Sequence, residues 1–430
     1  MIANQAKKTA AKEGALTPRN RWFAVLGGVL MNFGLGALYG WSLFVPALQQ
    51  ELSLSREQAS NIFSIAIAVF SLCFLMGGRL QDKKGPYIVS LIGSVLFGLG
   101  FVLTSRAASL DGMYLAFGLV VGVGGGFAYV TPIGVVAKWF PDRRGLVVGI
   151  SLSSFGAGSA VLGPVVPGLI AAYGWRPVMM GLGVMYFLMM FVGAQLLKNP
   201  PPGWQPAGWK PSAALSQARQ GGDFAPLEML GTSQFWRLLV GYALGTSAGL
   251  MVISQLLPYA QSITPGVGAA LAGTAITIGA CGNAAGRVFS GWLSDSIGRI
   301  KTLSLMVLLS AVALPLLGRI DSLLLLWPLL FVIYYCYGTQ LSLYPSTTAD
   351  FFGVKNVGTN YGLVLLAWGA AGVLGPKLGG RLYDQFQNYT RAFDIAAILL
   401  LISFAVIFTL RPPQRQPQTV AAPAPAPAVR

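Results

Sequence analysis

The chain has 430 residues, of which 54% are hydrophobic and 10% charged, and its formal net charge is +16. Soluble globular proteins carry roughly a quarter of their residues as Asp, Glu, Lys and Arg, so a soluble core does not explain this composition; nor does a nucleic-acid partner, because the basic residues punctuate apolar runs instead of gathering on one soluble face. There is no histidine, the commonest metal ligand and neutral-pH proton switch, and Cys73, Cys281 and Cys336 sit inside apolar runs without paired spacing, so no cofactor, metal site or disulfide framework is expected.

Residues 1–20 form a polar, basic tail, and the apolar run that follows is too long for a signal-peptide core. From there, apolar runs of about twenty residues recur, the length a helix needs to cross some 30 Å of hydrocarbon. Six spans, at 22–48, 57–78, 87–105, 112–138, 146–172 and 177–197, make a first bundle over 21–198. The stretch 199–232, rich in Pro, Gly and Gln, reads as a linker. Six more spans, at 234–260, 267–292, 302–318, 322–346, 358–380 and 393–410, make a second bundle over 233–411. The tail 412–430 is low in complexity and expected to be disordered. The expected class is an all-α membrane protein of twelve transmembrane helices in two pseudo-symmetric six-helix halves.

Lys and Arg are distributed unevenly between alternate loops. One side holds only Arg56, Arg106, Arg176, Arg319, Lys377, Arg381 and Arg391; the other holds all the remaining basic residues except one. That bias predicts a multi-pass protein of the cell inner (plasma) membrane with both termini and the linker cytoplasmic, and nothing in the sequence calls for more than a monomer. The exception is Arg287, inside the eighth span.

An internal repeat supports two related halves. GRLQDKKG, from Gly78 to Gly85, follows the second span, and GWLSDSIG, from Gly291 to Gly298, follows the eighth. Trp139, Phe140, Pro141 and Asp142, after the fourth span, hold a place loosely like that of Asp350, Phe351 and Phe352 after the tenth. Paired halves of this kind place a substrate site near the membrane midplane.

The G-x-L-x-D-x-x-G loop in both halves resembles the signature loop of the major facilitator superfamily. The strings NRWF from Asn20, KWFPDRRG from Lys138, SQFW from Ser233, FSGWLSDSIGR from Phe289, YPST from Tyr344 and NYG from Asn360 resemble its oxalate/formate antiporter family, a relative of the monocarboxylate transporters. The resemblance runs from about Asn20 to about Arg411. It implies alternating access by rocking of the halves about a pocket lined by aromatic residues and closed by cations. Carried over by position, the span-eight arginine is Arg287 with Asn283 one turn before it, and the aromatic positions are Tyr39, Tyr129, Phe155 and Tyr337. Where the oxalate carrier has a second cation on span eleven, this chain has Trp368.

An arginine inside a span costs several kcal/mol unless it is paired or faces a polar cavity. Asn283 and Arg287 are four residues apart and share a helix face. A guanidinium can take a carboxylate through two parallel hydrogen bonds, and the amide adds a donor. The alternative is that Arg287 snorkels outward and braces Asp295; for each aromatic position the alternative is packing. Asp82 and Asp295, with Arg79 and Arg299, read as gate and loop-bracing charges. Gly122, Gly124, Gly125 and Gly126 read as close helix packing, because no P-loop Lys-Ser/Thr follows them.

No constellation of nucleophile, base or metal ligands points to an enzyme. One cation opposite a tryptophan suits a single carboxylate on a small, partly apolar body, such as lactate, pyruvate or a short fatty acid anion. Oxalate would leave one charge unpartnered, which is expensive when buried. None of the acidic residues falls in the middle of a span. Animal monocarboxylate transporters, which resemble this site, carry an aspartate where Asn283 stands. The function expected is therefore proton-linked symport of a monocarboxylate, its proton carried on the substrate, an end-of-span acid or a tyrosine; the alternative is carboxylate exchange of the oxalate/formate type.

Overall fold

The structure is a computed structural model that describes residues 18–201, 204–206, 223–263, 269–353 and 356–413. Residues 1–17 and 414–430 of the two expected tails, and about half of the expected linker, lie outside the described residues, while residues 18–20, read from sequence as tail, already belong to the first helix. Twelve helices form the spans among the described residues. They are α1 (Pro18–Leu35), α2 (Arg56–Lys84), α3 (Pro86–Arg106), α4 (Gly122–Trp139), α5 (Arg144–Tyr173), α6 (Trp175–Leu196), α7 (Ser233–Ile263), α8 (Ala269–Ile297), α9 (Arg299–Leu317), α10 (Leu323–Phe352), α11 (Val357–Phe386) and α12 (Thr390–Phe408). Eleven of them are long and apolar enough to cross a membrane. The exception is α8, where small residues, Asn283 and Arg287 dilute a 29-residue helix.

Two spans are irregular. Beyond α1 the chain tightens into a 3₁₀ stretch, Gly36–Leu43, before a short helix, Val45–Leu52, and α4 is preceded by the π-helical Tyr114–Val121. Such departures from α geometry inside a span commonly mark functional positions. Here the 3₁₀ stretch, buried along its whole length, carries Tyr39.

Several helices outrun the apolar spans read from sequence: α2 continues to Lys84, α8 to Ile297, α10 to Phe352 and α11 to Phe386. Their polar last turns keep the backbone hydrogen-bonded after the apolar run has ended. The repeat explains how two of them stop. Gly85 and Gly298, the last residues of the two loop motifs, have φ of 84° and 93°. Only glycine adopts that region without strain, and each donates its N–H back into the helix just ended, to Gln81 and Ser294 respectively.

The halves meet where α2 packs along α11 and α5 along α8. The Thr277 hydroxyl donates across the second seam to the Ala160 carbonyl at 2.6 Å. The last residues of the linker are attached to the second half: the Phe224 N–H donates to the Phe352 carbonyl, and the Asn356 and Asn360 side-chain amides donate to the Phe224 carbonyl.

Candidate functional site

The site begins with how closely α8 sits on α10. A Cβ at Gly282 or Gly286 would fall on the carbonyl oxygens of Phe331 or Tyr335, and one at Gly338 would fall on the carbonyl of Asn283. With glycine at these points of closest approach, the neighbouring face of α8, which carries Asn283 and Arg287, is turned toward α5 of the other half.

Arg287 is 4% exposed. Its Nε donates to Asn283 Oδ1 at 2.8 Å, and Nη1 donates to the carbonyl oxygen of Leu152 on α5 at 2.7 Å. Its guanidinium carbon stands 5.5 Å from the centre of the Phe155 ring, within the range of a cation–π contact. The snorkelling geometry is therefore not adopted. Asp295 pairs with Arg299 instead, at 3.6 Å. Asn283 is fully buried, and its Nδ2 has no hydrogen-bond partner.

A cavity of about 10 Å³ adjoins the arginine, lined by Tyr39, Phe70, Tyr129, Phe155, Arg287, Leu341, Leu365 and Trp368. That is room for about one water molecule. Its rings form a connected wall: Tyr39 to Phe155 at 4.7 Å between centroids, Phe155 to Tyr129 at 5.9 Å, Tyr129 to Phe70 at 5.5 Å and Phe70 to Trp368 at 5.2 Å. The indole N–H of Trp368 donates to Tyr337 Oη at 2.8 Å, and that hydroxyl shares a 2.8 Å hydrogen bond with Tyr39. Trp368 thus spends its single donor on the protein and presents the cavity with an apolar face.

Five of the seven pocket residues read from sequence line this cavity, and the other two, Asn283 and Tyr337, are hydrogen-bonded to residues that do. Phe70, Leu341 and Leu365 escaped the sequence reading. Leu341 stands one turn after Tyr337, and Leu365 three residues before Trp368, so helical spacing from known members would have found both. Phe70 carries no such signal, because its helix is apolar on several faces.

The loop charges differ between halves. In the second half Arg299 joins Asp295 to the end of α10, with Nε 2.5 Å from Asp350, and also donates to the Ser294 hydroxyl. In the first half Arg79 is exposed, and the side chain of Asp82 lies outside the described residues. There Asp142, the loose counterpart of Asp350, pairs with Arg21 at 3.1 Å.

The sequence model of the Major Facilitator Superfamily matches residues 22–333 and 263–430. An uncharacterized MFS-type transporter, YhjX, of Escherichia coli (strain K12) is 29% identical over 83% of this chain and 86% of its own length. The oxalate:formate antiporter of Oxalobacter formigenes is 29% identical over 93% of each chain. Human monocarboxylate transporter 11 is 28% identical over 88% of this chain and 80% of its own. Among solved structures, a bacterial homolog of the human lysosomal transporter Spinster, inward-facing and unoccupied, superposes with a TM-score of 0.69 over 91% of this chain and 97% of its own at 16% identity, a likeness of fold.

Proposed function

We propose, from the premise that this chain belongs to the major facilitator superfamily, that it is a secondary active transporter of small monocarboxylates of the lactate and pyruvate kind, working by alternating access with proton-coupled symport. The observation that carries the reading is a single buried guanidinium beside an otherwise aromatic and aliphatic cavity. Arginine stays charged under all ordinary conditions, so the charge has to be matched by an anion or by protein acceptors. A carboxylate can take two parallel N–H bonds from it, and the unpartnered Asn283 amide supplies a further donor.

The rest of the wall argues for one carboxylate and not two. Trp368 stands on the eleventh helix with its donor already used, so a second carboxylate there would be buried without a cation, at a cost of several kcal/mol. An apolar substrate body suits the faces of Phe70, Tyr129, Leu341 and Leu365. Because the cavity accommodates only about one water, substrate entry requires the rings to part as the halves rock. The protein would act as a monomer in the cell inner membrane with both termini cytoplasmic.

Exchange is the second reading. It is favoured by the cavity lining, which has no acidic side chain to hold a proton, and by the similarity to an oxalate:formate antiporter. Purified protein in liposomes separates the readings. Lactate uptake into vesicles without internal anion, with alkalinisation of the medium, is the outcome expected for symport. Uptake only into anion-loaded vesicles, with no pH change, would establish exchange. Accumulation of oxalate with no response to lactate would overturn the substrate assignment.

A further inference from the structure

At the face of the molecule opposite the linker, the first turn of α2 lies against the last turns of α11. The Asp384 carboxylate of α11 accepts from two main-chain N–H groups of α2, Arg56 at 3.1 Å and Glu57 at 2.9 Å. A helix N-terminus has unpaired donors and a partial positive charge, so an anion there is favourable. In this case the capping group comes from the other half of the protein. Ser55, the N-cap of α2 itself, is engaged separately with the Gln58 N–H.

The contact is reinforced on both sides. Ser60 bonds to the Arg56 carbonyl and to Gln255 of α7, and Tyr389 donates to Gln255 at 3.0 Å. Gly380 brings the backbones together: a Cβ there would stand 2.6 Å from Ser60 Oγ and 2.8 Å from the Arg56 carbonyl oxygen. The bonds that cross between the halves, from α2 to Asp384 and from Gln255 to Ser60, must break before the cavity can open to this face.

We propose that Asp384 is the latch that holds this face shut: its carboxylate, carried by the second half, caps the first turn of α2 in the first half and must leave it before the cavity opens here. The carboxylate offers charge-assisted bonds to both N–H groups; the amide of Asp384→Asn loses the charge and has only one oxygen left to accept with. The charged and titratable groups facing it are Arg56, whose guanidinium lies 5.2 Å from the Tyr383 ring centre, Glu57, Tyr383 of its own helix and Tyr389. Glu57 also lies within electrostatic range of Tyr114.

The test uses full-length protein in which Cys73, Cys281 and Cys336 are replaced by alanine and Ser64, buried one turn beyond Ser60 on α2, is changed to cysteine. Alkylation by a membrane-impermeant maleimide is followed at neutral pH without substrate, each rate divided by that of the unfolded protein. Asp384→Asn is expected to label about tenfold faster, the loss of charge-assisted bonds being of that order. Asp321→Asn, an exposed acid in a loop on the same face, should match the parent. Equal rates for Asp384→Asn and parent overturn the proposal. Gly380→Val wedges the same contact without removing a charge and should also label faster; if Asp384→Asn does not fold, unchanged labelling of Gly380→Val overturns the latch. Since no substrate is added, the outcome is independent of which anion the cavity takes.

Discussion

Arg287 of α8 reaches across the molecule to the main-chain carbonyl of Leu152 on α5, at 2.7 Å. The bond joins the two halves beside the cavity and compensates a cation that would otherwise be buried unpaired. A carboxylate is a stronger acceptor than a carbonyl and matches the planar guanidinium at two points. Arg287→Lys keeps the charge and loses that match. Lactate uptake should fall at least about tenfold and the thermal stabilisation of the protein by lactate should disappear, the expected result of losing a charge-assisted pair of bonds. Uptake kinetics and thermal unfolding in detergent measure the two effects, and unchanged lactate binding in Arg287→Lys would refute the bidentate arrangement.

The seam between α8 and α10 is what aims the arginine. Gly286→Val would put a branched side chain on the Tyr335 carbonyl, with backbone on the far side and no flexible neighbour to yield. Overpacking of this kind costs about 1–3 kcal/mol. The variant should unfold at a lower temperature in detergent, and it should transport lactate poorly even where it remains folded, because the displaced α8 moves Arg287 away from α5. Gly291, also on α8, has open space around its Cβ position, and Gly291→Ala should leave both properties unchanged.

How much of this was legible in the sequence follows from what each residue signals. The twelve spans were readable because hydrocarbon demands long apolar runs, and the repeat was readable because Gly85 and Gly298 both need a positive φ. Arg287 and Asn283 stood out because polar groups in a span are costly, and i, i+4 spacing fixes their common face. The bond from Trp368 to Tyr337, and onward to Tyr39, could not be read: it joins three helices, and the angles at which helices cross are not written in any one of them. Asp384 was hidden for the same reason, because its partners are main-chain N–H groups that every sequence has. Phe70 is one apolar residue among many until the halves are brought together.

Glu51, beyond the first span, ties the end of the short helix Val45–Leu52 to the start of α6. It accepts from Arg176 Nε at 2.8 Å and from the Trp175 indole at 2.5 Å. The hydrogen bond from Arg176 holds its carboxyl below the usual value of 4.5 against the opposing effect of burial, aided by the bond from Trp175 and the charge of Arg176. A carboxyl depressed in the folded state stabilises the fold above its unfolded value, and the contribution is lost as pH falls through the folded one. Because the pair is largely solvated, Glu51→Gln should lower stability near pH 7 by about 1 kcal/mol or less. The melting temperatures of parent and variant should converge as the pH is taken below 4.5, and a gap that persisted unchanged in acid would mean that the ion pair is not its source.

In the proposed function, Trp368 is the residue that sets the charge of the substrate. Its indole closes one side of the cavity against Phe70 and spends its N–H on Tyr337. In Trp368→Lys the wall gains a second cation and loses the bond that fixes Tyr337, so Tyr337 keeps only its partner Tyr39. Two cations facing one small cavity repel each other unless a doubly charged anion lies between them, whereas a monocarboxylate leaves one of them unpaired. Lactate uptake should therefore fall by about tenfold or more, and oxalate should become the better competitor in a counterflow assay, a reversal worth about 1.4 kcal/mol for each tenfold change in relative affinity. Trp368→Phe separates charge from shape: it removes the N–H and keeps an aromatic wall, so it should lower the lactate rate only a few-fold while leaving oxalate excluded. If Trp368→Phe admits oxalate as well as Trp368→Lys does, the tryptophan excludes the dianion by bulk, and the one-cation account of selectivity fails.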